Sequence, residues 1–442
     1  MARRKTNTKL QMHESSQRGL CRAAFVLLGV SPLLLVIAFS ITQFIPAYQT
    51  LRANAWSSWL SGRLGVEVQV AAVESLAPEC YVLHGLRLSH PESRASLGRI
   101  RSIAVSRKGA VWSIQLDEPE FESRQLAATW RMIHDWFVCR PQIAQPAIRI
   151  VCDDLRLREL DQVQSLEQIA VEIYSQAERT VVGAEFRMPR AVPGSKASLV
   201  RIVRQHSDRH LSTVLELDSG AAGLPCNLIS PVLPFVQQLG DRAVFQGKLA
   251  LRQRDSAWEA NITQSFLVGV DFGRLTAGLN SCVTGEGFIW CENFMVTDAG
   301  LQNAYGKASV EHGRIDNNLL NASQHTLKVE LPSVQSANVG LHSFEQLQAI
   351  FDIAPGTFRL AGGVEKTLPD TQGRTRQLPL GTLIADAAGP IAVRSNFEPM
   401  PLQNLLNALV YDAGVTTASA NSPNPASWLA QRAVWWLPLE TP

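Results

Sequence analysis

The chain has 442 residues, of which 46% are hydrophobic and only 18% are charged. This composition supplies enough apolar surface for sizeable cores and excludes a wholly disordered chain. The length corresponds to about two or three domain-sized units. The 41 basic residues are nearly balanced by 39 acidic ones, which leaves a net charge of +2. That balance argues against a general nucleic-acid-binding protein, because such a protein relies on an excess of positive charge.

An uncharged apolar segment at residues 23–45 predicts a single transmembrane anchor. As a helix, the segment is long enough to cross the hydrocarbon core of a bilayer. Six basic residues and one acid, Glu14, precede it. The positive-inside rule therefore predicts a cytoplasmic basic tail at residues 1–22 and a periplasmic or otherwise extracytoplasmic main domain. The alternative is a cleaved signal peptide, but the apolar run is longer than a usual signal core, and the first A-x-A sequence after it, at residues 53–55, lies well beyond its end.

A short amphipathic helix at residues 46–63 is predicted to link the anchor to the folded part of the chain. An apolar stripe runs along one side of it, flanked by arginines. The stripe either lies in the membrane interface or packs on the first strands of the ectodomain. Its members are Tyr48, Leu51, Ala55 and Trp59.

Residues 64–400 contain many short segments in which apolar and polar side chains alternate, as in Val66 to Val70 and Ile169 to Ile173. Alternation of this kind is typical of β-strands with one buried face. It predicts a mainly β ectodomain with a few α-helices, built on a long curved antiparallel sheet. The apolar face then either lines a groove or is closed against a second sheet as a β-sandwich.

Helical spacing of apolar residues predicts three further helices, at residues 125–137, 344–352 and 402–412. The last of these belongs to a C-terminal region, residues 401–442, that continues with a small, polar, proline-containing linker. An aromatic tail follows and either docks on the sheet or touches a membrane interface. Its tryptophans are Trp428, Trp435 and Trp436.

Six of the seven cysteines lie beyond the predicted anchor, in an oxidising compartment according to the predicted topology. One pair is favoured by geometry. A two-residue turn at Glu286-Gly287 would place Cys282 opposite Cys291 in a hairpin, close enough for a disulfide. The alternative is two buried free thiols.

The common hydrolase, metalloprotease and dinucleotide-binding motifs are absent from the sequence, which lowers the expectation of an enzyme. His206 and His210 have the i, i+4 spacing of helical metal ligands, but they lie between strand-like runs and indicate a solvated hairpin tip. His134-Asp135 is interpreted as the polar surface of a helix, because adjacent helical positions do not face each other. Cys152 is predicted to be a disulfide or core cysteine. No catalytic, cofactor or metal residue is therefore predicted.

After the predicted anchor, five segments follow in order: SGRLGVEVQV, LHGLRL, LELDSGAAGLP, FVQQLGDRAVFQGKLAL and WEANITQSFLVGVDF. In this order the chain resembles AsmA-like proteins of bacterial envelopes, over residues ~47–90 and ~211–330. The resemblance implies a periplasm-facing β-sheet curved into an apolar groove, with roles in outer-membrane assembly and phospholipid movement and without catalytic residues. The chain departs from that family in its short length, its extra cysteines and its middle region around residues 125–152.

These observations lead to the hypothesis of a membrane-anchored, non-catalytic envelope protein whose β-sheet groove handles lipids or supports envelope assembly. Its expected partners are the membrane, phospholipid acyl chains and other envelope proteins. The alternative is a structural or adaptor ectodomain that binds another envelope protein through a sheet edge or the aromatic tail. An envelope hydrolase without a familiar motif is the third class. The predicted groove residues are Leu249, Leu251, Val268, Val270, Phe272, Phe288, Trp290 and Phe294.

Overall fold

A computed structural model shows that the chain is mainly β with few helices, which confirms the predicted fold class. The structure describes most of the chain between the N-terminal basic segment and the C-terminal tail. The described residues are 14–34, 37, 46–126, 128–129, 134–141, 146–159, 162–176, 178–189, 191–206, 212–230, 234–254, 257–277, 282–332, 340–364, 367–369 and 375–409.

Twenty of the strands in the described residues belong to one sheet, and two form a separate small ladder. The strands of the large sheet are β1 Glu67–Gln69, β2 Ala72–Ala77, β3 Cys80–Ser89, β4 Ser96–Lys108, β5 Val111–Glu122, β6 Ala147–Glu159, β7 Gln162–Gln176, β8 Arg179–Arg187, β9 Ser198–Gln205, β10 Ser212–Asp218, β11 Leu224–Pro225, β12 Val244–Arg254, β13 Ala257–Asp271, β14 Val283–Thr297, β15 Gly300–Asp316, β16 Leu341–Ala354, β17 Thr357–Gly362, β20 Thr382–Asp386, β21 Gly389–Val393 and β22 Met400–Pro401. The small ladder pairs β18 Thr367–Pro369 with β19 Thr375–Gln377.

The helices are fewer and mostly short. The α-helices are α1 Glu14–Phe25, α2 Pro46–Leu64, α3 Cys226–Ile229, α4 Phe272–Leu275, α5 Asn317–Leu327 and α6 Leu402–Leu409. Two π-helical turns lie at Val26–Val30 and His134–Val138, and two 3-10 turns lie at Ser123–Gln125 and Pro234–Leu239.

The large sheet is a single open ladder of mixed direction. It runs from β1 and β2, which both pair with β3, through β4 to β10, then through β12 to β16, and ends at β17 and β20 to β22. All pairs are antiparallel except β5 with β6, so the predicted wholly antiparallel sheet is wrong at this point. The chain between these two strands, residues 123–146, crosses over so that β6 starts at the same end as β5. In the described part of the chain the two ends of the ladder do not pair, so the sheet is open along its hydrogen-bonded edges.

One face of the sheet, called the inner face, is covered by the helices in three separate cores. The side chains of α2 cover β1 to β5 at one end. In the middle, the fully buried Val138 packs on Ile173, Val182 and Ile202 of β7, β8 and β9. In the C-terminal half, side chains from β10 to β21 share one core with α3 to α6, so this half of the sheet wraps around those helices.

The linking helix predicted at residues 46–63 is confirmed as α2. Ala53, Trp56 and Leu60 form the side that packs on the sheet. From the predicted stripe, Leu51 and Trp59 instead point away from the sheet, with 68% and 53% of their surfaces exposed. The alternative in which this stripe packs on the first strands is therefore wrong for these two residues.

The helix predicted at residues 344–352 is wrong, because these residues lie inside the long strand β16. Phe344 is buried opposite Gly313 of β15, and the other edge of β16 pairs with β17 and β20. Glu, Gln, Leu and Ala are good helix formers, but two ladders of strand hydrogen bonds outweigh that local preference. The C-terminal helix is confirmed over Leu402–Leu409, and the remainder of the predicted range lies outside the described residues.

The helix predicted at residues 125–137 is replaced, where the chain is described, by a 3-10 turn, a short helical stretch and the π-turn His134–Val138. Residues 127 and 130–133 lie outside the described part. In its described residues the crossover contains a 3-10 turn and a π-turn in place of regular α-helix at these positions.

The predicted anchor is described only in part. Within the described residues, no helix is both long enough and apolar enough to span a membrane. Residues 35–36 and 38–45 of the predicted anchor, and the linker and aromatic tail from residue 410 onward, lie outside the described residues.

The predicted hairpin and disulfide between Cys282 and Cys291 are both wrong. Glu286 and Gly287 lie inside β14, which continues to Thr297 and pairs with β13 and β15 on either side. The two cysteines are nine residues apart along one extended segment. That separation is roughly 30 Å, far beyond the ~7 Å Cα limit for a disulfide. Cys282 and Cys291 are both free thiols.

Candidate functional site

An unbroken apolar row crosses the inner face of the sheet over fifteen strands. In each strand one apolar residue stands directly opposite an apolar residue of the next strand, and paired residues point to the same face. The row begins on β3 and ends on β22. It consists of Tyr81, Val105, Ile114, Ile150, Val171, Ala184, Val200, Leu217, Leu249, Ile262, Phe294, Ala304, Ile353, Phe358 and Met400.

A second apolar row runs beside the first on the same face. It extends from β5 to β15, so the middle of the inner face carries a hydrocarbon surface at least two side chains wide. Its members are Trp112, Ile148, Ile173, Val182, Ile202, Leu215, Leu251, Ala260, Val296 and Leu301.

The first row is covered to different degrees along its length. In the C-terminal half, Leu217, Leu249 and Phe358 are buried beneath the helices. Between β5 and β9 every member of the row is only half-buried, including Val171 and Val200. Tyr81 and Val105 before this stretch are half-buried as well, so the longest run of the row without a buried member extends from β3 to β9; the part from β5 to β9 is called the middle stretch.

The predicted groove residues do not form one surface. Leu249, Leu251 and Phe294 belong to the two inner rows, as predicted for a shared face. Val270 and Phe272 also lie on the inner side, but inside the closed C-terminal core, with 0% and 8% of their surfaces exposed.

The remaining three predicted residues, Val268, Phe288 and Trp290, lie on the outer face. Val268 pairs with Phe288, and the intervening neighbours Leu267 and Ile289 are the residues that pack on the core. A β-bulge between Val268 and Val270 reverses which face the side chains take.

A cavity of about 660 Å³ lies at one rim of the sheet, and none of the predicted groove residues line it. The end of β8, the start of β7 and the loop after β10 meet there. Its apolar lining includes Met188, which also packs against the C-terminal core. Val163 and Val192, also in the lining, are 56% and 71% exposed. The cavity therefore joins an exposed apolar rim to the core of the sheet.

A buried polar row borders the second apolar row. Thr180, Arg204 and Thr213 stand opposite one another on β8, β9 and β10, and each is at least nine-tenths buried. The guanidinium of Arg204 donates to the Thr213 hydroxyl at 3.0 Å, and the Thr180 hydroxyl lies 2.9 Å from Nε2 of His206. Burial, followed by the charge of Arg204, lowers the pKa of His206. His206 thus ends β9 in a polar network, whereas His210 lies outside the described residues.

The outer face near β3 to β6 carries a second, ionic cleft of about 610 Å³. Glu120 accepts from Arg99 and pairs with Arg158, each at 2.7 Å. Arg87 stands directly opposite Arg99, so two like charges face each other across the strands. The two ion pairs of Glu120 tie β4, β5 and β6 together across the parallel pair β5–β6.

No protein-family model, curated protein or solved structure matches the chain. The resemblance to AsmA-like proteins therefore rests on the sequence segments alone. The geometry of the inner face carries the functional interpretation.

Proposed function

We propose that the chain is a membrane-anchored, non-catalytic envelope protein whose inner sheet face holds the acyl chains of phospholipids. The observation that carries this proposal is the apolar row, which is continuous across the sheet and only half-buried from β5 to β9. Apolar surface of this extent is costly in water, and a hydrocarbon chain covers it at a gain of about 0.8 kcal/mol per buried methylene.

The dimensions of the half-buried stretch suit one acyl chain. Neighbouring strands lie ~4.8 Å apart, so the four spacings from β5 to β9 span about 19 Å. One leaflet of a bilayer has a hydrocarbon thickness of ~15 Å, half of the ~30 Å core. An extended acyl chain laid across these strands therefore contacts an apolar residue at each step.

Exposed apolar side chains support the proposal of an anchor at residues 23–45. Phe25, Leu27, Leu28 and Leu33 expose 70%, 70%, 77% and 60% of their surfaces. Such a cluster is stable when lipid or another protein covers it. On α2, the exposed Trp59 stacks with the guanidinium of Arg63 at 5.7 Å, a pair that suits the lipid headgroup region.

A photocrosslinking experiment tests the proposal. A photoreactive amino acid replaces Val171, which points to the inner face, or its neighbour Glu172, which points to the outer face. In cells, the residue at 171 should form phospholipid adducts and the residue at 172 should not. A folded chain without lipid adducts at 171 contradicts lipid binding on this face.

The adaptor function is the second candidate, and an exposed patch on the outer face favours it. Phe266 and Tyr305 expose 42% and 38% of their surfaces. Trp290 lies between them: it stands opposite Phe266 on the neighbouring strand, and its ring packs edge-on against that of Tyr305, with 6.3 Å between the ring centres. Exposed aromatic clusters are frequent at protein interfaces. A photoreactive residue at position 266 that crosslinks to a second protein, together with no lipid adduct at 171, is the result that selects the adaptor.

A further inference from the structure

The crossover between β5 and β6 contains a cluster of three side chains of the types that bind transition metals. They are His134 and Asp135 of the π-turn and Cys139, which follows it directly. Their donor atoms all lie within 4.8 Å of one another. We propose that His134, Asp135 and Cys139 bind a zinc-type divalent ion, which fixes the crossover on the inner face of the sheet.

The π-turn is what brings the histidine and the cysteine together. The backbone N–H of Cys139 donates to the carbonyl of His134 at 2.8 Å, a hydrogen bond between residues i and i+5. In an α-helix the same two residues would be rotated by about 140° from each other. The extra residue in the turn aligns them, and π-turns of this kind occur frequently at functional sites.

The distances between donor atoms match those of a metal site. The Nδ1 atom of His134 lies 3.0 Å from Oδ1 of Asp135 and 3.6 Å from Sγ of Cys139. Tetrahedral zinc, with bonds of ~2.0 Å to nitrogen and oxygen and ~2.3 Å to sulfur, holds its donors about 3.3 to 3.6 Å apart. The third pair, Oδ1 of Asp135 and Sγ of Cys139, lies within 4.8 Å, and the exposed Asp135 carboxylate is the ligand that can move to complete the geometry.

The three side chains are buried to different degrees, so one side of the cluster is open to solvent. His134 is 3% exposed, Cys139 is half-buried, and the Asp135 side chain is 61% exposed. Three protein ligands leave the fourth tetrahedral position for water. On binding, the Cys139 thiol loses its proton to the solvent and its sulfur forms a bond to the metal. Each ion that binds therefore releases one proton from Cys139.

The position of the cluster explains what the metal would do. Val138 lies between the ligands in the sequence and is fully buried against Ile173, Val182 and Ile202. A bound ion holds the turn that inserts this valine onto the second apolar row. The ion would therefore stabilise the cover over the middle of the inner face, whichever ligand that face binds.

The sequence interpretation of His134-Asp135 as helix-surface polarity is wrong. It assumed α-helical geometry, in which neighbouring residues point apart. The carboxylate of Asp135 instead folds back to the imidazole, and Cys139 belongs to the same cluster through the π-turn. A His-Asp-x₃-Cys spacing is an unusual metal signal, and nothing in the local sequence marks the turn as π-helical.

Cobalt titration of the full chain tests the proposal. The protein is solubilised in detergent, stripped of metal with a chelator and kept reduced. Addition of Co²⁺ should produce a thiolate-to-cobalt charge-transfer band with a stoichiometry of one ion per chain, and Zn²⁺ should abolish the band by displacement. Loss of a residue that only supports a metal ligand already lowers metal affinity about tenfold. Asp135→Asn removes a proposed ligand, so it should weaken cobalt binding at least that much.

The control is Cys80→Ser, because Cys80 is a cysteine as half-buried as Cys139 but lies on β3. Cys80→Ser should keep the cobalt band, and Cys139→Ser should lose it. In the unmutated chain, which avoids any folding defect, Zn²⁺ should protect Cys139 but not Cys80 from alkylation. A folded chain that shows no charge-transfer band, or equal alkylation of Cys139 with and without Zn²⁺, overturns the proposal.

Discussion

A carboxylate placed in the middle of the inner apolar row should abolish most lipid retention without unfolding the protein. Val171 is the best position, because it is half-buried and stands between Ile150 of β6 and Ala184 of β8. The change Val171→Asp replaces two methyl groups by a charge that faces any bound acyl chain. Since Val171 is only partly covered, the carboxylate can keep water, and we expect a stability loss of about 1 kcal/mol.

The expected loss of lipid affinity is larger than the loss of stability. A charged side chain excludes hydrocarbon from the site it occupies, which removes the burial of two to three methylenes at about 0.8 kcal/mol each. The resulting loss of about 2 kcal/mol corresponds to a roughly thirtyfold weaker complex. Phospholipid co-purifying with the chain, measured by mass spectrometry per mole of protein, should fall accordingly, while the unfolding midpoint changes little.

Val151→Asp is the matched control for this prediction. Val151 is a half-buried valine like Val171, but it neighbours Ile150 in β6 and therefore points to the outer face. It carries the same change of charge and volume. The reasoning is refuted if both variants keep their lipid, or if both lose it equally while remaining folded.

Three further predictions concern stability. Phe358→Ala removes a ring that is 1% exposed in the C-terminal core, and denaturant unfolding should show a loss of about 3–5 kcal/mol. Glu120→Gln leaves Arg99 and Arg158 without their shared carboxylate. Because the two arginine side chains are 65% and 42% exposed, we expect the free energy of unfolding to fall by only about 1–2 kcal/mol. Unfolding of this variant should also depend less on salt concentration than unfolding of the unmutated chain. Burial raises the pKa of the Cys291 thiol from 9.0 to about 11, so the folded state favours the neutral thiol. The stability that this preference contributes is complete below pH 9 and is lost as the pH rises to about 11. The unfolding midpoint of the unmutated chain should therefore fall over this pH range, and that of Cys291→Ala should fall less.

The fold class could be predicted from the sequence because side-chain alternation is a local property. Each strand of β6 to β9 alternates clearly enough that its inner residues, such as Ile150 and Ile173, can be identified from the printed sequence. The linking helix α2 and the C-terminal helix α6 were equally accessible, since their apolar stripes repeat within a few turns. The pairing partners of each strand could not be predicted from the sequence, because register depends on hydrogen bonds between residues far apart in the chain.

Glycine misled the sequence interpretation of β14. Glycine next to a charged residue is a strong turn signal, so Glu286-Gly287 was interpreted as a hairpin. In the structure, a Cβ atom at Gly287 would lie 1.9 Å from the carbonyl oxygen of Ser309 in β15. The residue is glycine because two strands approach closely there. In a sequence, a glycine at such a close approach cannot be told from a glycine in a turn.

The candidate site was only partly predictable for a related reason. Alternation shows which residues share a face only until a bulge intervenes, and Gly269, with φ of 72°, provides such a bulge between Val268 and Val270. Every residue beyond that point changes sides relative to the pattern. A second irregularity, between Cys291 and Asn293 of β14, separates Trp290 on the outer face from Phe294 on the inner face. The predicted groove thus combined residues of both faces.

The openness of the inner face depends on the elements that cover it more than on the apolar content of its strands. Leu249 and Val171 belong to the same row, yet Leu249 is buried beneath the C-terminal helices and Val171 is half-buried. The difference arises because the connections that supply α3 to α6 follow β10, whereas the described residues between β6 and β9 contain no helix. In the part of the chain that the structure describes, the β5–β6 crossover reaches over this middle stretch, through Val138. A ligand on the inner face must therefore bind beside that crossover, where the lipid and metal experiments probe neighbouring but separable parts of the structure.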